Sequence, residues 1–492
     1  MSQPVPKMLA VPGGGDPVIT TITDLNVRSG PGVVYDRVSF LLEGESARVL
    51  GVDPATNWYK IECPDRAGNL PECWVSGSDK FVTPSNTGGV PVAAVPPTPT
   101  PEPLPLSVGN MVIGGSNALL VYVNGDGLWG VGLDLSQNPP LPGEPAQLAA
   151  GIDIYEPQIA PDGGHVLYLT STSEANALHV IASNGESPKT LISSADLVIQ
   201  GEGDTTNLAA LIRFFQWLDD SETIGFNTDV VNLVGPGVGA QEDWWLVNIN
   251  DDAPPDAPTG PGGGAFAVAG DSVLFSQSDA IVRGQVSSLD REEVVAFGFI
   301  NTASEYVFYP TPQWTAAGDA AYVVIPDADP WVDEPGAALW RIPESGPAEE
   351  LGRLDGNLLF DAVFWSPDGS QLAYLNTESP PTLFIGEGDG QNLFVVDSDP
   401  RLAFHGWSPD GSRYLYSTQT AVIIGQPGGS ATTLPIAAGQ EVAGAWWVTD
   451  EVLATAVGDV GNWDLVVYNL AGDSTAVTTI SNDFVQVNIW TP

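Results

Sequence analysis

Apolar and polar positions along residues 108–492 repeat one pattern. An apolar run ends on Trp or a substitute, a turn built from Asp, Gly or Pro follows, and then apolar and polar residues alternate. Seven stretches have this form: 157–171, 214–227, 265–277, 312–325, 363–376, 405–417 and 445–457. Alternation with a period of two places successive side chains on opposite faces of a strand. Further strand-like runs follow most copies, such as "NALHVIASNG" with "PKTLISS" and "ALWRIPESG" with "AEELGRL". Helical periodicity is nearly absent.

Four short strands per unit, separated by polar or glycine turns, make up a blade of a β-propeller. Each unit alone would expose an apolar sheet face, and radial stacking buries it. The fullest copies are "WSPDGSQLAYL" from Trp365 and "WSPDGSRYLYS" from Trp407. In that turn Pro presets φ, Asp accepts bonds from nearby backbone N–H groups, and Gly tolerates a positive φ. The motif resembles the repeats of the TolB-like and WD-type propeller families, which implies a Trp packed between blades. Asp162, Asp368 and Asp410 recur once per unit at this turn, which makes them structural rather than catalytic. The chain ends on "NDFVQVNIWTP" (482–492), an inner strand that stops where "DGS" would follow. Its continuation is found at "GGSNALLVYVNGDGLWGVGLDL" (114–135), with 146–152 as a fourth strand. The expectation is therefore a ring of eight blades, or seven if a degenerate copy is not a blade, closed by the C-terminal strand.

Residues 84–107, "PSNTGGVPVAAVPPTPTPEPLPLS", break the pattern. Proline has no N–H and fixes φ, so the segment reads as an extended spacer whose threonines could accept O-glycans. It separates an arm (1–17) and a small β-rich module (18–83) from the large one (108–492). In the small module "LNVRSGPG" (25–32) with Tyr35, "NWYKI" and "CWVSGSDKFV" resemble bacterial SH3-like domains. That resemblance implies a small barrel, an extracellular setting and a capacity to bind wall material. Trp58, Tyr59 and Trp74 could line a ligand groove or pack the barrel. Cys63 and Cys73, the only cysteines, suit a disulfide pinning a hairpin loop, which would help a domain with little core. The fold class is all-β throughout.

Charge narrows the partners. There are 61 Asp and Glu against 15 Lys and Arg, a formal net charge of −46. Such a surface repels phosphate backbones and anionic lipid, so nucleic acid is not an expected partner. No apolar run approaches the ~20 residues of a spanning helix, and the chain is expected to be soluble. The N-terminal "MSQPVPKMLAVPGGG" lacks the basic start and apolar core of a secretory signal. A removed leader, another export route and a cytoplasmic location all remain open on that point.

No metal-protease, P-loop, nucleophile-elbow or haem-attachment pattern occurs, and the three histidines, His165, His179 and His405, do not suggest one site. His165 and His405 fall in repeat regions that read as equivalent. Three units are enlarged between their second and third strands, at 228–243, 326–337 and 377–391. These loops should share one face of the ring. They carry Val230, Val231, Leu233 and Val234, then Trp331, then Leu383, Phe384 and Ile385, as a candidate contact surface or simply as caps. Asp327, Asp329, Asp333 and Glu334 offer hard oxygen ligands suited to calcium, although the EF-hand spacing is absent; the competing reading is a solvated acidic loop. No other cofactor is expected.

Three functions follow, in order of preference. The first is a non-catalytic extracellular structural or adhesion protein, contacting copies of itself or other surface proteins and assembling head to tail. The second is a receptor for cell-wall glycan. The third is a propeller hydrolase or lyase, which needs acids converging in the central channel.

Overall fold

The computed structural model describes residues 16–96 and 117–492, apart from 24, 33–36, 43, 55, 65, 67–71, 79, 172–174, 198, 200–206, 235–237, 241–242, 252–264, 287–289 and 305. The chain divides into two units, residues 1–105 and 106–492. Almost every regular element is a strand.

The first unit holds seven strands between Val18 and Ser85, and its strand pairs are antiparallel. Alternate residues of Trp58–Ile61 and Leu25–Arg28 turn inward, so Tyr59, Ile61, Leu25 and Val27 meet Ile19, Val49, Val75 and Val82 in one core. Cys63 and Cys73 are disulfide-bonded with their Cα atoms 5.2 Å apart, closing the loop between Trp58–Ile61 and Cys73–Ser76. The spacer begins later than its composition suggests. Val82–Ser85 is still a strand, Val90 packs on the core, and Ala93 N–H donates to Val52 O. Residues 97–107 lie outside the described set.

The second unit is an eight-bladed β-propeller. Eight separate sheets follow one another along the chain, each an antiparallel meander from an inner strand outward. The inner strands are Val487–Trp490 for blade 1, then Ile154–Ile159, Leu208–Trp217, Ala265–Ala269, Gln313–Trp314, Ala362–Trp365, Ala403–Trp407 and Glu441–Thr449. Blade 1 is built from both ends of the chain: Val487, Asn488, Ile489 and Trp490 pair with Tyr122, Val121, Leu120 and Leu119. Gly115 and Ser116, expected to complete that turn, lie outside the described residues. Apolar clusters join neighbouring blades, as where Leu167 and Leu178 of blade 2 meet Ile224 and Phe226 of blade 3.

Blade 3 departs from its neighbours. Its second strand, Thr223–Asn232, runs on through Val230 and Val231 instead of ending at a loop, and Val238–Ala240 and Trp245–Asn248 pair with it in turn. Among the described residues no fourth strand follows. Residues 252–264, which come next in sequence, lie outside the described set.

Because every blade is antiparallel and starts inside, its turns alternate between the two faces of the ring. Turns between strands 1 and 2 and between 3 and 4 form one face, here the turn face. Hairpins between strands 2 and 3, with the connections from one blade to the next, form the opposite, connector face.

Candidate interaction surface

On the turn face the repeated aspartates bind their own backbone. Asp368 accepts from Ser370 N–H at 3.0 Å and from the Ser366 and Ser370 hydroxyls at 2.7 and 2.8 Å. Asp410 repeats this with Ser412 and Ser408, and Asp162 accepts from Gly164 N–H at 2.7 Å. Gly369, Gly411 and Gly163 take φ of 71°, 71° and 74°, the left-handed region the turn requires. The Ser408 hydroxyl and the Ser412 donors hold the Asp410 carboxyl down to about 2. These bonds give the repeated aspartates a structural part in the turn.

The inner strands carry a second regularity. Trp217, Trp314, Trp407 and Trp447 donate their indole N–H to Gln158, Ala267, Phe364 and Gly406 O, each on the inner strand of the preceding blade, at 3.0–3.3 Å. Trp365 instead donates to Gly388 O within its own blade. The residue before the repeat position is glutamine in three blades. Gln313 bonds both N–H and C=O of Trp365, Gln216 does the same at Val268, and Gln158 donates to Phe215 O. An inner strand leaves one edge without a ladder, and these amides satisfy it across the gap between blades. Sequence reasoning missed the glutamines, although Gln directly before Trp217 and Trp314, and before Ile159 at the same repeat position, was visible.

Two acids, Glu156 and Asp229, lie within electrostatic reach of Arg213, on blades 2 and 3. The inner strands of both blades are bulged, between Tyr155 and Gln158 and between Ile212 and Phe215. Glu156 sits in the first bulge at φ 52°, its N–H donating to the side chain of Gln486, the residue before the closing strand. Arg213 lies in the second, 3.6 Å from the Asp229 carboxylate and over the Phe214 ring. Burial raises the Glu156 carboxyl against the pull of Arg213. Burial likewise raises Asp229 against Arg213, with Asp243 adding to the rise. Asp243 is spoken for: it accepts from Thr228 N–H, the Thr228 hydroxyl and Trp245 Nε1 at 2.6–2.9 Å.

The connector face differs from the turn face in what it exposes. Among the described residues of the propeller, eleven of fifteen exposed large apolar side chains sit on connector-face loops: Ile152, Leu233, Val234, Phe299, Tyr306, Val307, Trp331, Val332, Phe360, Val460 and Phe484. The other four, Leu141, Phe214, Phe394 and Val395, are on strands. The aromatic centre of this surface is Trp331, 47% exposed, with Phe360, 61% exposed, edge-on at 6.0 Å. Trp331 is pinned: its indole donates to Asn301 O at 2.8 Å and its backbone N–H to Asp329. Phe299 is two residues from Asn301, whose N–H donates to Ala328 O.

The predicted contact residues divide. Leu233, Val234 and Trp331 are on this surface. Leu383 and Ile385 are not: 382–387 is the third strand of blade 6 rather than part of a loop, and both are fully buried. The prolines at 380 and 381 mark the true hairpin, and the alternation from Leu383 to Ile385 is a core pattern. Phe384 stacks on Tyr374 at 5.6 Å. In the small module Trp74 is fully buried and Tyr59 nearly so, which removes them from any groove; Trp58 is half-buried. In the acidic loop Asp327 is ion-paired with Arg353 at 2.6 Å, Asp329 accepts from Trp331 N–H, and Asp333 and Glu334 are exposed. Among the described residues no three His, Cys, Asp or Glu side chains converge as metal ligands would.

The histidines do not occupy equivalent positions. His165 begins a second strand, while His405 lies in a bulge of an inner strand. His179 bonds Thr170 and Thr190, and His405 bonds Ser417; burial drops both rings to about 4.

No protein-family profile and no curated protein sequence matches this chain. Solved structures do resemble it. TolB from Acinetobacter baumannii is 14% identical over 74% of this chain and 80% of its own, with a TM-score of 0.33. Oligogalacturonate lyase from Vibrio parahaemolyticus is 11% identical over 73% and 84%, with a TM-score of 0.37. Oligopeptidase B from Trypanosoma brucei is 9% identical over 67% and 48%, with a TM-score of 0.44. At these identities a lyase, a peptidase and TolB share no more than a fold with this chain, and the likeness selects no activity.

Among the described residues no helix is long and apolar enough to cross a membrane.

Proposed function

We propose that this is a non-catalytic extracellular adhesion or structural protein that docks a protein partner on the connector face of its propeller. The observation that carries the reading is the one-sidedness of the exposed large apolar residues in loops, which among the described residues number eleven on the connector face and none on the turn face. Solvent contact costs an apolar side chain free energy, and a rigid ring that gathers such residues on one side presents an interface. A pinned tryptophan beside a phenylalanine is the usual composition of an anchoring point. The disulfide and the SH3-like sequence of the first unit support an oxidising location outside the cytoplasm.

Hydroxyl-radical footprinting of the protein on its native surface, against the purified chain, tests this. Trp331, Phe360 and Phe484 should be protected while turn-face residues label equally in both. Equal labelling of both faces would end the proposal.

A second reading is favoured by Glu156. A carboxyl raised by burial, on a bulged inner strand beside Arg213, is where a propeller hydrolase or lyase would carry its acid. A glycan and peptide turnover panel on the wild type and Glu156→Gln decides it. Turnover lost in the variant would support the enzyme, and silence in both would remove it.

A further inference from the structure

The inner strands line the central channel, and the faces of their sheets pack against the neighbouring blades. A side chain exposed in the middle of such a strand therefore opens on the channel. Among the described residues the inner strands expose only Glu156, Arg213, Phe214 and Ala443. The first three stand on the bulges of blades 2 and 3. Arg213 and Phe214 together face Asn227, and Glu156 and Pro157 together face Tyr168, where a regular ladder sets one residue against one. Such a bulge re-aims the side chains it carries. Arg213 is also the one Lys or Arg on any inner strand.

Buried amides hold the bulge of blade 3. Asn176 Nδ2 donates to Ile212 O at 2.8 Å, and Asn176 Oδ1 accepts from Ile212 N–H at 2.9 Å. Asn227 Oδ1 accepts from Phe214 N–H at 3.2 Å. Both asparagines are buried. In blade 2, Glu156 keeps a positive φ that costs a non-glycine residue free energy. The side chains so positioned have unused capacity. Among the described residues the Arg213 guanidinium donates no hydrogen bond, and its contact with Asp229 is at 3.6 Å. A counter-ion for Asp229 alone would be drawn closer, as Arg353 is to Asp327 at 2.6 Å. Glu156 feels the charge of Arg213, yet the two form no ion pair.

A cation and an anion held near each other but unbridged suit a dipolar ligand. The propeller unit has 8 bases and 50 acids, a net of −42, which repels a net anion. Arg213 repels a plain cation at the same spot. A zwitterion has no net charge and meets neither obstacle. A carboxylate can take two parallel hydrogen bonds from a guanidinium, and the Arg213 plane is steadied over the Phe214 ring at 5.4 Å. Phe214, 40% exposed, offers apolar surface beside it. We infer that the channel wall at these bulges binds a free α-amino acid with an apolar side chain, its carboxylate on Arg213, its ammonium on Glu156 and its side chain against Phe214. Binding requires neither turnover nor a docked protein, so the site is independent of both readings above.

Ligand-observed NMR and calorimetry of the full chain with L-leucine provide the test. Leucine should bind. N-acetylleucine, which lacks the ammonium, and leucinamide, which lacks the carboxylate, should each bind about tenfold more weakly or worse. Arg213→Gln and Glu156→Gln should each lose a similar factor for leucine. Phe214→Ala should weaken leucine and leave glycine unchanged. Where melting shows that Arg213→Gln has not folded, because Asp229 is left uncompensated, Arg213→Gln with Asp229→Asn takes its place. Absence of leucine binding up to about 10 mM overturns the inference. So does equal binding of N-acetylleucine, which marks a plain anion site, or of leucinamide, which marks a plain cation site. An Arg213 variant with wild-type affinity overturns it as well. A silent turnover panel or an unprotected connector face bears on the earlier readings and leaves this result untouched.

Discussion

Blade 1 and blade 6 are made from the same motif in two different ways. In blade 6 the strand Ala362–Trp365, the turn with Asp368 and Gly369, and the strand Gln371–Asn376 follow one another directly. In blade 1 the inner strand Val487–Trp490 comes from the end of the chain and pairs with residues 119–122. Trp490 still takes a repeat tryptophan's part, but it donates to Pro161 O in blade 2, the opposite sense around the ring from Trp407 and Trp447. Its ring also fills the space over Gly163, 2.8 Å from where a Cβ would stand. Asn488 and Gln486 bind Ile159 N–H and Glu156 N–H of blade 2. The closing strand therefore holds two blades. A contact so distant in sequence carries a large loop-closure cost, which local blades avoid.

The sharpest way to break the comparison is to remove 482–492. Val487, Ile489 and Trp490 pack on two apolar clusters, and without them blades 1, 2 and 8 lose cover. The melting temperature of the propeller should fall by ~10 °C or more, on the order of 5 kcal/mol. An unchanged melting curve would show that blade 1 closes without its last strand.

Next in size is Trp407→Ala. Trp407 is buried at the junction of blades 6 and 7 and packs against Tyr414 and Phe404, so its loss should cost about 3–5 kcal/mol in chemical denaturation. Trp490→Ala, on a less buried ring, should cost less. A reversed order would mean that the closing strand dominates every local contact.

Gly369→Ala probes the turn. It combines a φ of 71° with a Cβ 2.3 Å from the Tyr322 ring, and about 2 kcal/mol of destabilisation is expected. Gly428→Ala, also at positive φ but with nothing within 4 Å, isolates the backbone part. Equal effects would refute the clash.

The smallest effect is in pH. Asp410 is held below its unfolded value, so its contribution is complete above about pH 4 and is lost as pH falls towards about 2. Solvent screens the exposed turn, which keeps the contribution below ~1 kcal/mol. Asp410→Asn should flatten that acid limb of the stability curve. A limb with its wild-type slope would place the sensitivity elsewhere.

Much of this architecture was legible because it is local. The Trp–turn–strand pattern specifies two paired strands within some fifteen residues, and the cysteines bridge a short loop. The unmatched "WTP" at the chain end disclosed the closing strand, since a half motif requires its other half. Failures came where a period-two apolar run had two meanings. Leu383 and Ile385 look like an exposed loop beside Pro380 and Pro381, yet alternation with Phe384 turns them into the core. For Trp74 and Tyr59 the sequence left a groove and a packing role open, and the structure buries both in the core of the first unit. Blade 3, with its long second strand, shows the same limit.

By itself, then, the sequence determined the blades, the ring they make, its closing strand, the disulfide and the acidity, because each depends on neighbours in the chain or on composition alone. Only the tertiary structure decided which exposed apolar residues share a face, which inner-strand amides bridge blades, and that Glu156 and Asp229 both come within reach of Arg213. Those residues are far apart in sequence, and the antiparallel order of every blade, not any local pattern, sends them to one side or brings them together.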